Sequence, residues 1–317
     1  MANAWRKESR NPNTLFLFLI LTFSVLIFLH LFTSNPNPMP LYTSISKLPS
    51  SISYPIAPFD CAKSPQAYPV IANTVENLHY PFLYSLPDFG SLPDKPHKNI
   101  ARFLKGKPFR RPDISATIQN LLLRHKGNQN AIFIDVGANV GMATLAAAAM
   151  GFHVLAFEPV LENLQKLCDG IWFNRAGELI TLFETAVSDR NGNLTFHKLV
   201  GRLDNSAVSA AGAKLAFKSN EEVAIGVRAV RLDDMVGDKD EVVLLKIDVQ
   251  GWEYHVLKGA SRLLSRTKGE APFLIYEEDE RLLQASNTTA KQIRDFLRTV
   301  GYSQCTLHGS DAHCTKD

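Results

Sequence analysis

From residue 113 onward the apolar positions form short unbroken runs that alternate with stretches of helical period. Ala131–Val136 (AIFIDV) is apolar except for Asp135. An unbroken run of this kind, closed by glycine, predicts a strand buried on both faces of a parallel sheet. Gly137, Gly141 and an alanine-rich helix follow. His153–Glu158 is a second such strand, with a helix from Pro159 through Cys168. Ile180–Val187 reads as a third strand, and Asn191-Gly192 as a hairpin turn into Leu194–Leu199. Val223–Leu232, Glu241–Val249, Ala271–Glu277 and a final Tyr302–Leu307 complete the strands. Between them, Trp252, Val256, Leu257, Ala260, Leu263 and Leu264 share one helical face, and Asn287–Val300 is a capped amphipathic helix. Asp113 is placed to cap a helix over Ile114–Lys126 that Gly127 ends. Gly201–Asn220 is polar, without periodicity, and reads as a loop that could cover a substrate. Strands alternating with helices predict an α/β fold around a parallel sheet.

The N-terminal pattern is different. Leu15–Phe32 carries no charge and follows Arg6, Lys7 and Arg10. At about 1.5 Å per residue it reaches roughly 27 Å, enough for a thin bilayer. The basic flank stays cytosolic, which predicts a single-pass type II protein of the Golgi or endoplasmic reticulum with a lumenal catalytic domain. A cleaved signal peptide is the rival reading. The expected division is a cytosolic tail 1–14, a signal anchor 15–32, a lumenal stem 33–96 and a catalytic domain 97–317. The stem is rich in Pro, Ser and Tyr; its aromatic residues Tyr80, Phe82, Tyr84 and Phe89 either stay with the stem or pack on the domain. Lys95–Arg111 holds seven basic residues and no acid, which reads first as a solvated flank and second as a rim for an acidic substrate.

A net charge of +3 gives no electrostatic footprint for nucleic acid, and none is expected as a partner. Four cysteines in 317 residues do not make a disulfide scaffold. Cys168 reads as buried and free, and Cys61 as able to bridge two chains. Cys305 and Cys314 are a local disulfide or two thiols, favoured over a zinc site with His308 and His313. Asn193-Leu194-Thr195 and Asn287-Thr288-Thr289 are glycosylation sequons usable in a lumenal chain.

The chemistry concentrates after the first two strands. Gly137 permits a tight bend, Gly141 lets the helix start close to a ligand, and an acid ending the second strand is placed to accept from ribose hydroxyls. Dinucleotide sites share that acid but need G-x-G-x-x-G for the pyrophosphate; Gly137-Ala138-Asn139-Val140-Gly141 lacks the triplet. A phosphate-free cofactor, S-adenosyl-L-methionine, fits better than a nicotinamide dinucleotide. Asp189 ends the third strand, where it reaches an adenine amino group or starts the following turn. Asp248 sits near the tip of the strand beside the cofactor strand and is the candidate to orient or deprotonate an acceptor hydroxyl, provided it is desolvated. Glu253 ranks second, because an acid in a first helical turn also favours the dipole. Asp233-Asp234 reads as a turn or cap, and no metal is expected.

FIDVGANVGMATLAAAAMG, VLAFEP, TAVSD, RLDDM and LLKIDVQGWEYHVLKGA, in this order, resemble the FkbM-type methyltransferases over about Ala131 to Tyr276. The resemblance implies a class I, Rossmann-like fold: a mostly parallel seven-stranded sheet with an antiparallel last strand. It also implies O-methylation of a hydroxyl on a glycan or small hydroxylated acceptor. It places Asp135, Gly137, Ala138, Asn139, Gly141 and Glu158 at the cofactor, Asp189 near adenine and Asp248 near the acceptor. Relatives often carry Glu where this chain has Gln250, so position 250 offers no base. The alternatives are a membrane-tethered protein that keeps the fold without catalysis and, behind it, an NAD(P)-dependent oxidoreductase.

Overall fold

The computed structural model describes residues 54–66, 70–86 and 113–316, except 201, 202, 204, 205 and 216–220, with short pieces at 90–91, 95–96, 101 and 105. The expected tail, anchor, first part of the stem and nearly all of the basic stretch Lys95–Arg111 lie outside the described residues. Among the described residues no helix is long and apolar enough to cross a membrane.

Two small hairpins come first: β1 (Ala72–Val75) with β2 (Phe82–Ser85), and β3 (Gly90–Ser91) with β4 (Lys95–Pro96). Helix α1 (Asp113–Leu122) tightens into a 3₁₀ turn over Leu123–His125, and Gly127 at φ +92° ends it. Then follow β5 (Ala131–Val136), α2 (Met142–Ala148), β6 (His153–Phe157), α3 (Leu161–Asn174), β7 (Ile180–Phe183), β8 (Ala186–Val187) and β9 (Gly192–Leu199). The chain continues through α4 (Ala210–Lys214), β10 (Glu222–Val230), α5 (Leu232–Met235), β11 (Glu241–Ile247), α6 (Glu253–Gly259) and α7 (Ser261–Leu264). It closes with β12 (Phe273–Glu277), α8 (Glu280–Ala285), α9 (Ala290–Thr299), β13 (Tyr302–His308) and β14 (Asp311–Lys316).

The seven-stranded sheet runs β13-β14-β12-β11-β5-β6-β7. Neighbours from β12 through β7 pair in parallel, and β14 runs antiparallel to both β12 and β13. The expected sheet is present, with one correction: the last strand is β14, which inserts between β12 and β13. DAHCTK has too little apolar alternation to announce itself.

Side chains of a strand alternate between faces, and both faces here are covered. Ile132, Ile134, Leu155, Leu245 and Leu274 pack with Val256, Leu257, Leu263, Ile293 and Leu297 on one side. Phe133, Val154, Ala156, Leu244 and Ile275 pack with Ile118, Leu145, Leu164 and Leu167 on the other. The predicted third strand is split. Only Ile180–Phe183 joins the main sheet; Glu184-Thr185 turns the chain, with the Thr185 hydroxyl donating to the Arg228 carbonyl at 2.8 Å. Ala186–Val187 then pairs with β10 in a second sheet, β8-β10-β9.

The part of the expected stem that is described packs on the domain. Phe82, Tyr84 and Leu86 are buried against Ile118 and Leu122, and the Phe59 amide donates to the Leu182 carbonyl. This fold-back corrects the reading of two cysteines: Cys61 is disulfide-bonded to Cys168 on α3, so neither is free or available to bridge chains. Cys305 and Cys314 pair across β13 and β14, where they are register partners. Asp233 acts as a cap, accepting from the Arg262 and Leu263 amides at 2.9 and 3.0 Å at the start of α7.

Candidate active site

Strand register assembles the site. Ile247 is level with Val136, and Val136 with Phe157, so the next residues, Asp248, Gly137 and Glu158, stand side by side at the sheet's C-terminal edge. The crevice outside such strand ends is where open α/β sheets bind ligands. Gly137 bends at φ +77°, and a Cβ there would lie 1.9 Å from the Asp248 carbonyl oxygen. Only a residue without a side chain allows the two strand tips to meet so closely. Gly141 takes a φ of +90°, in the left-handed region that favours glycine, and a Cβ there would lie 2.2 Å from Leu167 Cδ1.

The amides of the bend are occupied within the protein. Those of Gly137 and Ala138 both donate to the Phe157 carbonyl, each at 3.0 Å. The Asn139 amide donates to Glu158 Oε2 at 2.8 Å. Glu158 Oε1 accepts from the Val160 amide at 3.0 Å and from the Asn163 side chain at 3.2 Å. A carboxylate offers about four acceptor directions, so the three hydrogen bonds leave one, and Glu158 lines a cavity at the strand ends. Burial raises the Glu158 pKa, against the pull of these hydrogen bonds and Lys246.

Two cavities meet at the bend. The first is open to solvent and lies between Glu158, Phe196, Val187 and Trp252. Leu203, Ser206 and Val208, from the segment expected to be a covering loop, also line it. The second is bounded by Ile114, Met142, Lys246, Ile275 and Asp311. Gly137, Asn139 and Asp248 line both.

The other expected site residues divide. Ala138 lines the second cavity. Asp135 lines neither; it is fully buried, accepts from the Thr144 hydroxyl at 2.7 Å and pairs with Lys246 at 3.0 Å. Asp189 also lines neither cavity. Its carboxylate bonds to His255 Nδ1 at 3.1 Å and pairs with Arg190 at 3.3 Å. Burial would raise its pKa, but these partners lower it. Asp248 stands at the seam of the cavities with 46% of its side chain exposed, so the desolvation expected for a base is absent from this structure. Glu253 is 1% exposed and faces its own turn, accepting from the Val249 and Gly251 amides at 3.0 and 3.2 Å. Its other oxygen meets no donor among the described residues, and burial pushes its pKa up to about 7.

Three residues near the site carry no role in the sequence reading. Lys246 bonds to the Gly137 carbonyl at 2.9 Å. Gln250, at φ +55°, uses its amide to bridge Asp248 at 3.1 Å and Glu277 at 2.9 Å. Glu277 ends β12, and burial, then repulsion from Asp248, pushes its pKa up to about 9. A signal for Glu277 was present, since the predicted strand Ala271–Glu277 ends on an acid. Among the described residues no group of three or more His, Cys, Asp or Glu is placed to hold a metal ion.

A seven-stranded sheet with one reversed strand beside its edge, a glycine bend after the central strand and an acid ending the next define a Rossmann-like, methyltransferase-type α/β fold. The chain belongs to the methyltransferase FkbM domain family, which matches residues 135–303. It is 24% identical over 219 residues to the 2-O-methyltransferase NoeI of Sinorhizobium fredii, covering 63% of this chain and 84% of that one. It is 25% identical over 145 residues to the hexuronic acid methyltransferase AglP of Haloferax volcanii, covering 45% and 55%. Among solved structures it is similar to a precorrin-6y C5,15-methyltransferase from Geobacter metallireducens, with 14% identity, a TM-score of 0.36 and coverage of 66% and 90%.

Proposed function

We propose that the chain is an S-adenosylmethionine-dependent O-methyltransferase acting on a hydroxyl of a glycan or small hydroxylated acceptor. The observation that carries this reading is the state of the glycine bend. A pyrophosphate is held by free backbone amides, but those of Gly137, Ala138 and Asn139 already serve Phe157 and Glu158. A donor without phosphates loses nothing by this. It needs an acceptor for a ribose hydroxyl, which Glu158 retains, and an apolar wall for a base, which Phe196, Val187 and Val160 supply. Asp189 is a weaker candidate for an adenine contact, since its carboxylate is engaged with His255 and Arg190.

When bound, the donor supplies an electrophilic methyl carbon on a sulfonium. At the seam, Asp248 would orient the acceptor hydroxyl and, once bound donor and acceptor cover its exposed side chain, take the hydroxyl proton as the methyl group passes from sulfur to oxygen. Glu253 shapes the turn that carries Gln250 and does not act on the acceptor. Similarity to a 2-O-methyltransferase and to a hexuronic acid methyltransferase supports a sugar hydroxyl as the acceptor.

We further propose that the protein is anchored by Leu15–Phe32 with its catalytic domain in the lumen. The basic flank supports this orientation. So does the pairing of all four cysteines, because disulfides persist in oxidising compartments. Incubation with S-adenosylmethionine radiolabelled in the methyl group and glycan fractions from membranes tests the activity. Label is expected in methylated sugars and reduced by about a hundredfold or more with Asp248→Asn; equal labelling by both proteins contradicts the reading.

A further inference from the structure

Lys246 is 6% exposed and stands where three parts of the site converge. It is the register partner of Asp135, and its ammonium lies 3.0 Å from that carboxylate. It donates to the Gly137 carbonyl at 2.9 Å. On its remaining side it faces the second cavity, with Asp248 3.9 Å away. Burial alone would lower its pKa, but Asp135, Asp248 and Glu158 raise it, so the charge persists at physiological pH.

A fully buried carboxylate needs a cation, and that accounts for the pairing with Asp135. It does not account for the contact with Gly137. The Gly137–Ala138 peptide is gripped at both ends: Lys246 holds its carbonyl, and the Phe157 carbonyl holds its N–H. Rotating that peptide would break both bonds and re-aim the Asn139 amide that orients Glu158. Gly137 has no side chain to resist the rotation. One ammonium therefore controls the wall that both cavities share.

We propose that Lys246 is a positioning residue for donor binding: it fixes the Gly137–Ala138 peptide, and through Asn139 the Glu158 carboxylate, in the geometry the donor meets. This rests on reading the site as an S-adenosylmethionine site. A role confined to neutralising Asp135 is the competing explanation, and removing both charges separates the two. Asp135→Asn combined with Lys246→Met removes both charges of that pair together, and with them the donor for the Gly137 carbonyl.

The experiment measures melting temperature and calorimetric binding of S-adenosylmethionine on the full chain, for the wild type, Lys246→Met, the double variant and Lys246→Arg. Lys246→Met is expected to lose both stability and binding. The double variant is expected to recover much of the melting temperature while binding the donor weaker by about tenfold or more. Donor affinity in the double variant equal to wild type overturns the proposal. If the double variant does not fold, Lys246→Arg decides. It keeps the charge for Asp135 but replaces the compact ammonium with a longer planar fork. It should fold and bind the donor more weakly, and wild-type affinity would refute positioning. A wild type that binds no S-adenosylmethionine instead overturns the reading of the site, whatever the variants do.

Discussion

At the scale of single residues, the site depends on close approach between strand tips. Gly137→Ala would place a methyl group 1.9 Å from the Asp248 carbonyl at a φ of +77°. The tips must separate, so donor binding should be lost and the melting temperature should fall, as scanning calorimetry would register. Asp248→Asn is expected to behave differently. It keeps the shape of the seam but removes the proposed proton acceptor, so donor affinity should hold while methyl transfer falls by about a hundredfold or more. Parallel losses of affinity and turnover would mean that Asp248 binds the donor and takes no proton.

Residue types at strand tips were legible in the sequence; their directions were not. Asp135 and Glu158 are both acids at the ends of neighbouring buried strands. Glu158 sits one step past its strand and turns to the cleft, whereas Asp135 sits within its strand and turns into the core, toward Thr144 and Lys246. A shift of one residue moves a strand side chain to the opposite face, and spacing alone does not fix which face a tip presents. Lys246 reads as an isolated polar residue until the register with β5 puts it beside Asp135. Glu277 is hidden in an acidic run, Glu277 to Glu280, that resembles a solvated turn.

At the scale of elements, the parallel strands and most flanking helices follow from apolar runs, and the deviations have local causes. The third strand breaks at Glu184-Thr185, where a charge and a hydroxyl interrupt the run and Thr185 finds the Arg228 carbonyl. That break builds the second sheet and, with it, one wall of the first cavity. The link from Cys61 to Cys168 spans 107 residues, a separation that carries no local signal. Closing a loop of that length restricts the unfolded chain, so Cys61→Ser should cost about 2–5 kcal/mol. The midpoint of denaturant unfolding measures this. Cys305→Ser, which opens a loop of nine residues, should cost less. An equal or greater loss would mean that the β13–β14 hairpin depends on its bridge more than chain entropy explains.

For the whole molecule, acids crowd the C-terminal edge of the sheet. Glu277 and Glu253 have pKa values pushed up to about 9 and about 7, in both cases first by burial. Above the unfolded value of 4.5, the unfolded chain releases protons that the folded protein keeps. Stability should therefore decline as pH rises from 4.5 to about 9. Glu277→Gln should flatten the upper part of that decline, between about 7 and about 9. Unfolding free energies measured across this range test the sign. A stability that rises with pH, unaffected by the substitution, would contradict the buried, proton-holding state of Glu277.

In the proposed function, the bend and Glu158 accept a donor with a ribose and no phosphates. Calorimetric titration of the full chain with S-adenosylmethionine and, separately, with NADH, for the wild type and Glu158→Gln, tests it most directly. Binding of S-adenosylmethionine, no binding of NADH, and a donor affinity weakened by about tenfold or more in Glu158→Gln are expected. Binding of NADH, or a donor affinity indifferent to Glu158, would contradict it.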